Sequence, residues 1–178
     1  VQWLDRASKA AIEFAARHPS MACAVIADEP APIVPLPAVR RRWADKVARM
    51  RGPDGEATRR AWVEATVEST DGAQRRRWIV DTMCAVPLPI AAAGVDGAVQ
   101  WDGVAALTAC AVPLLVLRAS TGGSNDPARL LAHRAGIHFG LTVGAGHFHQ
   151  LDAPEQVTPM MERFIEVVVP RHLAAANG

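Results

Sequence analysis

Val143-Gly144-Ala145-Gly146-His147-Phe148-His149-Gln150, closely followed by Asp152-Ala153-Pro154-Glu155, is the stretch whose reading decides the fold. It comes after a β-branched and aromatic run, Ile137 to Val143, and before an amphipathic segment. Glycine three positions before the histidine, and again immediately before it, lets the backbone turn tightly without Cβ clashes. Such a turn presents an imidazole at the carboxyl end of a strand, where α/β proteins keep their chemistry. The next helix carries its own start signal: Asp152 can cap, Pro154 suits the first turn, and Glu155 completes a capping-box spacing. Val157, Met161, Phe164, Ile165 and Val168 then fall on one helical face. Strand, glycine-hinged histidine and docked helix together point to a catalytic base; a surface-loop histidine is the plainer reading of the same residue.

Working outward, Pro113 precedes Leu114-Leu115-Val116-Leu117, a continuously apolar run that reads as a strand buried on both faces. A polar, glycine-rich loop, Arg118 to Asn125, follows, and Asp126-Pro127 opens a helix through Arg134. Pro159 inside the last helix is expected to kink it, or to restart it with Thr158 as cap. At the other end of the chain, Arg6 to Arg17 are strong helix formers, stopped by His18-Pro19-Ser20. Ala22 to Ala27 reads as a second buried strand, ended by Asp28-Glu29-Pro30, and residues 30 to 38 hold four prolines. From residue 37 to about 100 the apolar spacing is helical throughout, with Trp43, Val47 and Met50 on one face and Trp78, Ile79 and Met83 on another. The layout is α/β, with parallel strands and flanking helices in residues 1–29 and 112–178, interrupted by an all-helical insertion over 30–111.

Bulk composition narrows the function. The chain has 178 residues, 50% hydrophobic and 21% charged, enough for a sizeable core in one domain. A formal charge of +1 offers no global field for nucleic acid or an anionic membrane. Arg40-Arg41-Arg42 and Arg75-Arg76-Arg77 lie in helical patterns and read as solvated faces rather than phosphate sites. Cys23, Cys84 and Cys110 are odd in number and far apart, so they read as buried free thiols in a reducing compartment. No apolar run reaches membrane-spanning length and no signal-peptide layout opens the chain, so a cytoplasmic location without membrane attachment is expected.

The order strand, acidic loop, helix, strand, Gly-x-Gly-His, helix resembles the C-terminal two-thirds of the α/β-hydrolase superfamily. The residues that carry the likeness are Val112 to Leu117, then Asp126, then Gly144-Ala145-Gly146-His147-Phe148. Glu13-Phe14-Ala15-Ala16-Arg17-His18-Pro19 and Val25-Ile26-Ala27-Asp28 resemble the family's helix and strand after the nucleophile turn, and the insertion sits where the family carries its cap. The resemblance implies a nucleophile, histidine and acid acting together on a small, largely apolar substrate, with no cofactor. His147 would be the base. Counting back from His18-Pro19 places the nucleophile at Asp5, as in the dehalogenase and epoxide hydrolase branch, where a carboxylate attacks carbon and activated water hydrolyses the ester. Trp3 stands where that pattern has glycine, and N-capping is the other role open to Asp5. Ser8 lies a helical turn too late. The backbone N–H of Arg6 would supply one oxyanion donor. Asp126 matches the commonest position of the acid, while Asp28 or Glu29 occupies the alternative one.

Trp43, Trp62, Trp78 and Met83 are candidate pocket walls in the cap or, equally, helix-packing core. The family's first strands have no counterpart in the sequence, so a companion chain or a preceding segment is expected to complete the sheet. Two other readings compete. A domain that keeps this fold but serves binding or assembly accounts for Trp3. A metal site built from His147, His149 and Glu155 is the third, against which stand the long spacing to Glu155 and the helical remainder.

Overall fold

The computed structural model describes residues 2–67, 72–120 and 125–176, with the side chains of residues 2–6 and 176 outside that description. Three parallel strands form one sheet: β1 (Val25–Asp28), β2 (Leu114–Ala119) and β3 (His138–Thr142), in that spatial order. Val25 pairs with Leu114 and Asp28 with Leu117, while Leu115 pairs with His138 and Ala119 with Thr142. The ladder starts at Val25 rather than at the expected Ala22. Pro113, which has no N–H to give, stands just before β2, and Val25 donates to its carbonyl (2.8 Å).

The chain divides into two compact units. One holds Trp3–Val34 with Asp102–Gly178; the other holds Pro35–Trp101 with Val1–Gln2. The first unit carries the sheet. Its helices are α1 (Gln2–Arg17), preceding β1, and, further along the chain, one that closes the long excursion between β1 and β2, Gly103–Ala109. That last helix was expected in the insertion, whose expected limits were 30 and 111, and it groups with the sheet instead. Asp102 caps it by accepting from the Ala105 N–H (3.0 Å).

On one face of the sheet, Leu115 and Leu117 pack with Val157, Phe164 and Val169, and with the half-buried Ile26, Met160 and Val168. These partners come from the C-terminal helical segment, Pro154–Arg163, a π-helical turn Phe164–Val168, and Val169–Ala176. The helix runs through Pro159 without restarting. Its N-cap is Ala153, with no side-chain hydrogen bond, because Asp152 belongs to a short preceding helix, His149–Asp152; the expected capping box does not form. The π turn also moves the apolar stripe. An extra residue in the turn rotates Ile165 out to 53% exposure and brings Val169 into the core in its place.

The second unit is all helical: α2 (Pro37–Met50), α3 (Gly55–Glu64), α4 (Ala73–Cys84) and α5 (Leu88–Gln100). Numbering on, the helices of the sheet unit are α6 (Gly103–Ala109), α7 (Pro127–Leu131), α8 (His149–Asp152), α9 (Pro154–Arg163) and α10 (Val169–Ala176). Met50, Ala91 and Ala92 form the core between α2 and α5, with Trp62 and Leu88 at its edge. Trp43 meets Trp62 edge to face at 5.7 Å, and the Lys46 ammonium lies 4.1 Å from the Trp62 ring. Burial, then the charges of Arg42 and Arg49, lower the Lys46 pKa to about 8. Trp78 is exposed and Met83 buried.

Two arginines from opposite helices tie α3 to α4. The buried Arg59 of α3 donates to the carbonyls of Cys84 (2.6 Å) and Val86 at the end of α4, and pairs with Glu56. Arg76 of α4 donates in return to the carbonyls of Glu64 (3.2 Å) and Val67 (3.3 Å) at the end of α3. A helix leaves its last carbonyls unsatisfied, and a cation there also meets the negative end of the dipole. Arg76 thus does more than decorate a solvated face. Of the cysteines, all free, Cys110 is buried, Cys84 half-buried and Cys23 exposed, so the expectation of three buried thiols holds for Cys110 alone. Among the described residues, no single helix is long and apolar enough to cross a membrane.

Gly55 opens α3 where a Cβ would lie 2.2 Å from the Met50 carbonyl oxygen and 2.7 Å from Leu88 Cδ2. Backbone cannot retreat as a side chain can, so Gly55→Ala is expected to destabilise by about 1–3 kcal/mol in urea unfolding. Gly97→Ala, mid-helix in α5 with nothing within 4 Å, is expected to stabilise by about 0.5–1 kcal/mol in the same measurement.

Candidate active site

The carboxyl ends of the three strands hold a network of polar groups inside the sheet-bearing unit. Glycine chemistry sets the turn after β3: Gly144 adopts φ +70°, while Gly146 is buried. Two side chains pin this turn. Ser120, just past β2, accepts from the Gly144 N–H (3.1 Å) and donates to the Ala145 carbonyl (3.3 Å). Gln156 of α9 grips Val143 with both ends of its amide, accepting from its N–H (2.8 Å) and donating to its carbonyl (3.0 Å).

His149, at the start of α8, is fully buried. Its Nε2 lies 2.5 Å from Asp28 Oδ1, at the end of β1, and its Nδ1 lies 3.0 Å from Thr142 Oγ1. A carboxylate accepts, so Nε2 donates to Asp28; Nδ1 meets the Thr142 hydroxyl, which also lies 3.4 Å from the Arg118 carbonyl. With both nitrogens so engaged, His149 has none to offer a metal beside His147. Among the described residues no cluster of three His, Cys, Asp or Glu is arranged to hold one.

His147 is half-buried and stacks edge-on against the buried Phe148, ring centroids 5.0 Å apart. Burial pushes its pKa below the ordinary value of 6.5, and the positive field of His149 acts the same way; the charges of Glu29, foremost, and Asp28 oppose the shift. Glu29 is the unusual residue here. It is buried, its φ of +39° lies in the left-handed region that non-glycine residues avoid, and its Oε2 accepts from the Ala119 N–H (2.5 Å). Strain of this kind persists only where surrounding contacts enforce it, and it gathers at functional sites.

The residues singled out from sequence fall in different places. His147 sits in this network, as do Asp28 and Glu29. Asp126 is exposed and caps α7, accepting from the Ala128 N–H (3.1 Å), so the commonest acid position is used here to start a helix. Asp5 is the fourth residue of α1, so its backbone is helical rather than poised on a turn ahead of the helix, and its side chain lies outside the described residues. Ser8 is buried in α1. Four contributors escaped sequence reading: Ser120, Gln156, Thr142 and Asn125. Asn125 accepts from the Ile33 N–H (2.8 Å) and donates to the Pro30 carbonyl (2.6 Å), satisfying a proline-rich loop that is buried rather than exposed. Only Asp-Pro next to Asn125 gave any local signal.

No protein-family model and no curated protein matches the sequence. Solved structures do match. The chain is similar to a hydrolase from Oleispira antarctica, with a TM-score of 0.74 and 13% identity over 90% of this chain and 62% of that one. An enol-lactonase from Burkholderia xenovorans gives a TM-score of 0.65 and 18% identity over 88% and 61%. An E-2-(acetamidomethylene)succinate hydrolase gives 0.63 and 16% over 92% and 65%. At such identities the likeness is one of fold, and the fold is that of the α/β-hydrolases, present in part. The chain spans 61–65% of the length of these three proteins.

Two outcomes follow from the geometry. Asp28→Asn weakens a charge-assisted bond to a buried imidazole, and a loss of about 1.5–3 kcal/mol is expected by chemical unfolding. His147 has a lowered pKa in the folded state, so below pH 6.5 the unfolded chain binds the proton more readily and stability falls with pH. His147→Gln removes that dependence: its stability relative to wild type is expected to rise as pH drops through 6.5, and a relative fall would contradict the assignment.

Proposed function

We propose that this chain is the base-and-acid portion of an α/β-hydrolase-type hydrolase acting on a small, largely apolar substrate. His147 is the general base. Glu29, whose charge acts on it most strongly among the carboxylates, takes the orienting role that the sequence suggested for Asp126, with Asp28 engaged by His149. A base with a depressed pKa is neutral at pH 7 and ready to accept a proton, and an acid beside it stabilises the imidazolium that forms. The nucleophile is proposed at Asp5 on the resemblance alone, against its placement as the fourth residue of α1 rather than on a turn before the helix. A carboxylate there attacks the substrate carbon and the leaving group departs; water, deprotonated by His147, then hydrolyses the enzyme ester and frees the carboxylate. The all-helical unit serves as a cap, and the setting is cytoplasmic.

The observation that carries this reading is the gathering of His147, Glu29 and Asp28 at the carboxyl edge of a parallel sheet, where α/β enzymes place their chemistry. The three structural neighbours are named as hydrolases or a lactonase, which supports a hydrolytic reaction as the class to assay. The test is turnover of activated short-chain esters and of short halogenated acids. His147→Ala is expected to lower the rate by about 10²-fold or more with thermal stability retained. Turnover indifferent to that substitution, or none with either substrate class, would leave the fold serving binding or assembly.

A further inference from the structure

The opposite end of the sheet carries a second arrangement that takes no part in the chemistry above. An open apolar slot of about 660 Å³ runs beside the edge strand β3, walled by Leu115, Gly140, Pro159, Met160, Phe164 and Val167. A second cavity of about 400 Å³ lies next to it at the amino ends of β2 and β3, bounded by Pro113 and Gly136. The two share His138 and Val168 in their walls, so slot and cavity adjoin as two halves of one groove. Its two halves differ in chemistry. The smaller gathers Arg134, Arg171 and His172 with the shared His138, and Arg163 stands on the larger one. Among the described residues no carboxylate lines either half.

Arg134 adds an independent observation. One end of its guanidinium, Nη2, donates to the Val112 carbonyl; Nη1 is buried and has no hydrogen-bond partner among the described residues. A buried donor without an acceptor is costly, and the bond to Val112 anchors this guanidinium at the wall of the smaller cavity. The slot itself depends on Gly140. A Cβ at that position would come within 2.5 Å of Leu117 Cδ2 and 2.6 Å of Met160 Sδ, forcing side chains into the space now open.

We propose that this groove binds an amphipathic phosphate monoester with a single hydrocarbon chain, the chain lying along β3 and the phosphate held by Arg134 and Arg171. Charge selects the headgroup. A phosphate monoester carries about 1.5 to 2 negative charges near neutrality, matching two guanidiniums, whereas a carboxylate carries about one. Arginine's planar fork also suits phosphate oxygens, and a slot of this size accommodates a drug-sized apolar body. The groove opens at the amino ends of the strands and His147 lies past their carboxyl ends, so occupation of one does not require the other.

The test is a titration of the full chain, followed by amide correlation spectra, with decyl phosphate below its micelle concentration. Parallel arms use decanoate and inorganic phosphate. Saturable shifts at His138, Gly140 and Val168 are expected with decyl phosphate, with decanoate at least about tenfold weaker, as the loss of a charged hydrogen bond implies. Inorganic phosphate alone should not saturate in the millimolar range. Arg171→Gln changes an exposed residue, so the fold is kept, and is expected to weaken decyl phosphate by about tenfold. Val167→Trp, which fills the slot, should abolish binding of both alkyl ligands. Equal affinity for decanoate, unchanged binding in either variant, or shifts absent from those three amides would overturn the proposal.

Discussion

The contact between the Asp28 carboxylate and the His149 imidazole is the constraint on which the rest of the sheet-bearing unit depends. It reaches from the end of β1, past β2, to the helix that follows β3, and so fixes the three strand ends against one another. Around it the other polar groups fall into place. Glu29 takes the Ala119 N–H, Ser120 holds both sides of the glycine turn, and Thr142 supports the far nitrogen of His149. Buried polar groups are stabilising only when they are satisfied, and a connected set is far more demanding of geometry than apolar packing. The network therefore specifies one arrangement of the strand ends, where the apolar strand interiors alone would tolerate several.

That arrangement separates two histidines only two positions apart in sequence. His149 is sealed, with both nitrogens engaged, and serves as a structural brace. His147 is half-buried and keeps a solvent-facing side. The division follows from backbone placement: the tight turn at Gly144 leaves His147 on the approach, while His149 begins a helix that faces inward. Burial and the field of His149 hold the outer imidazole toward its neutral form, which is the form a base requires. Glu29 works in the other direction, so the balance between desolvation and one carboxylate sets how readily His147 takes a proton.

The fold was legible from local signals. Apolar runs at Leu114 to Leu117 and Ile137 to Val143, bounded by proline and glycine, gave the strands; spaced apolar residues gave the helices. The glycine-hinged His147 was visible for the same reason. What escaped was long-range or register-dependent. Asp28 and His149 are 121 positions apart, and no local pattern links them. Asp126 caps α7, the role that an Asp-Pro pair at a helix start offers beside that of an acid. Ile165 was expected inside because a 3.6-residue period was assumed to continue, and the π turn breaks it without a sequence signal. Gln156 and Ser120 were invisible because their partners are backbone groups, which every residue has.

The crossed arginines of α3 and α4 carry a consequence for how that part of the molecule comes apart. Helix ends ordinarily fray one at a time, since each last turn is held by little beyond itself. Here the last turn of each helix is gripped from within its neighbour. Loosening the end of α3 costs Arg76 the Glu64 and Val67 carbonyls, and loosening the end of α4 leaves the buried Arg59 with Glu56 on its own helix but without the Cys84 and Val86 carbonyls. The pair is thereby joined into a single opening unit, and partial melting, the cheapest motion available to most helices, is closed to both.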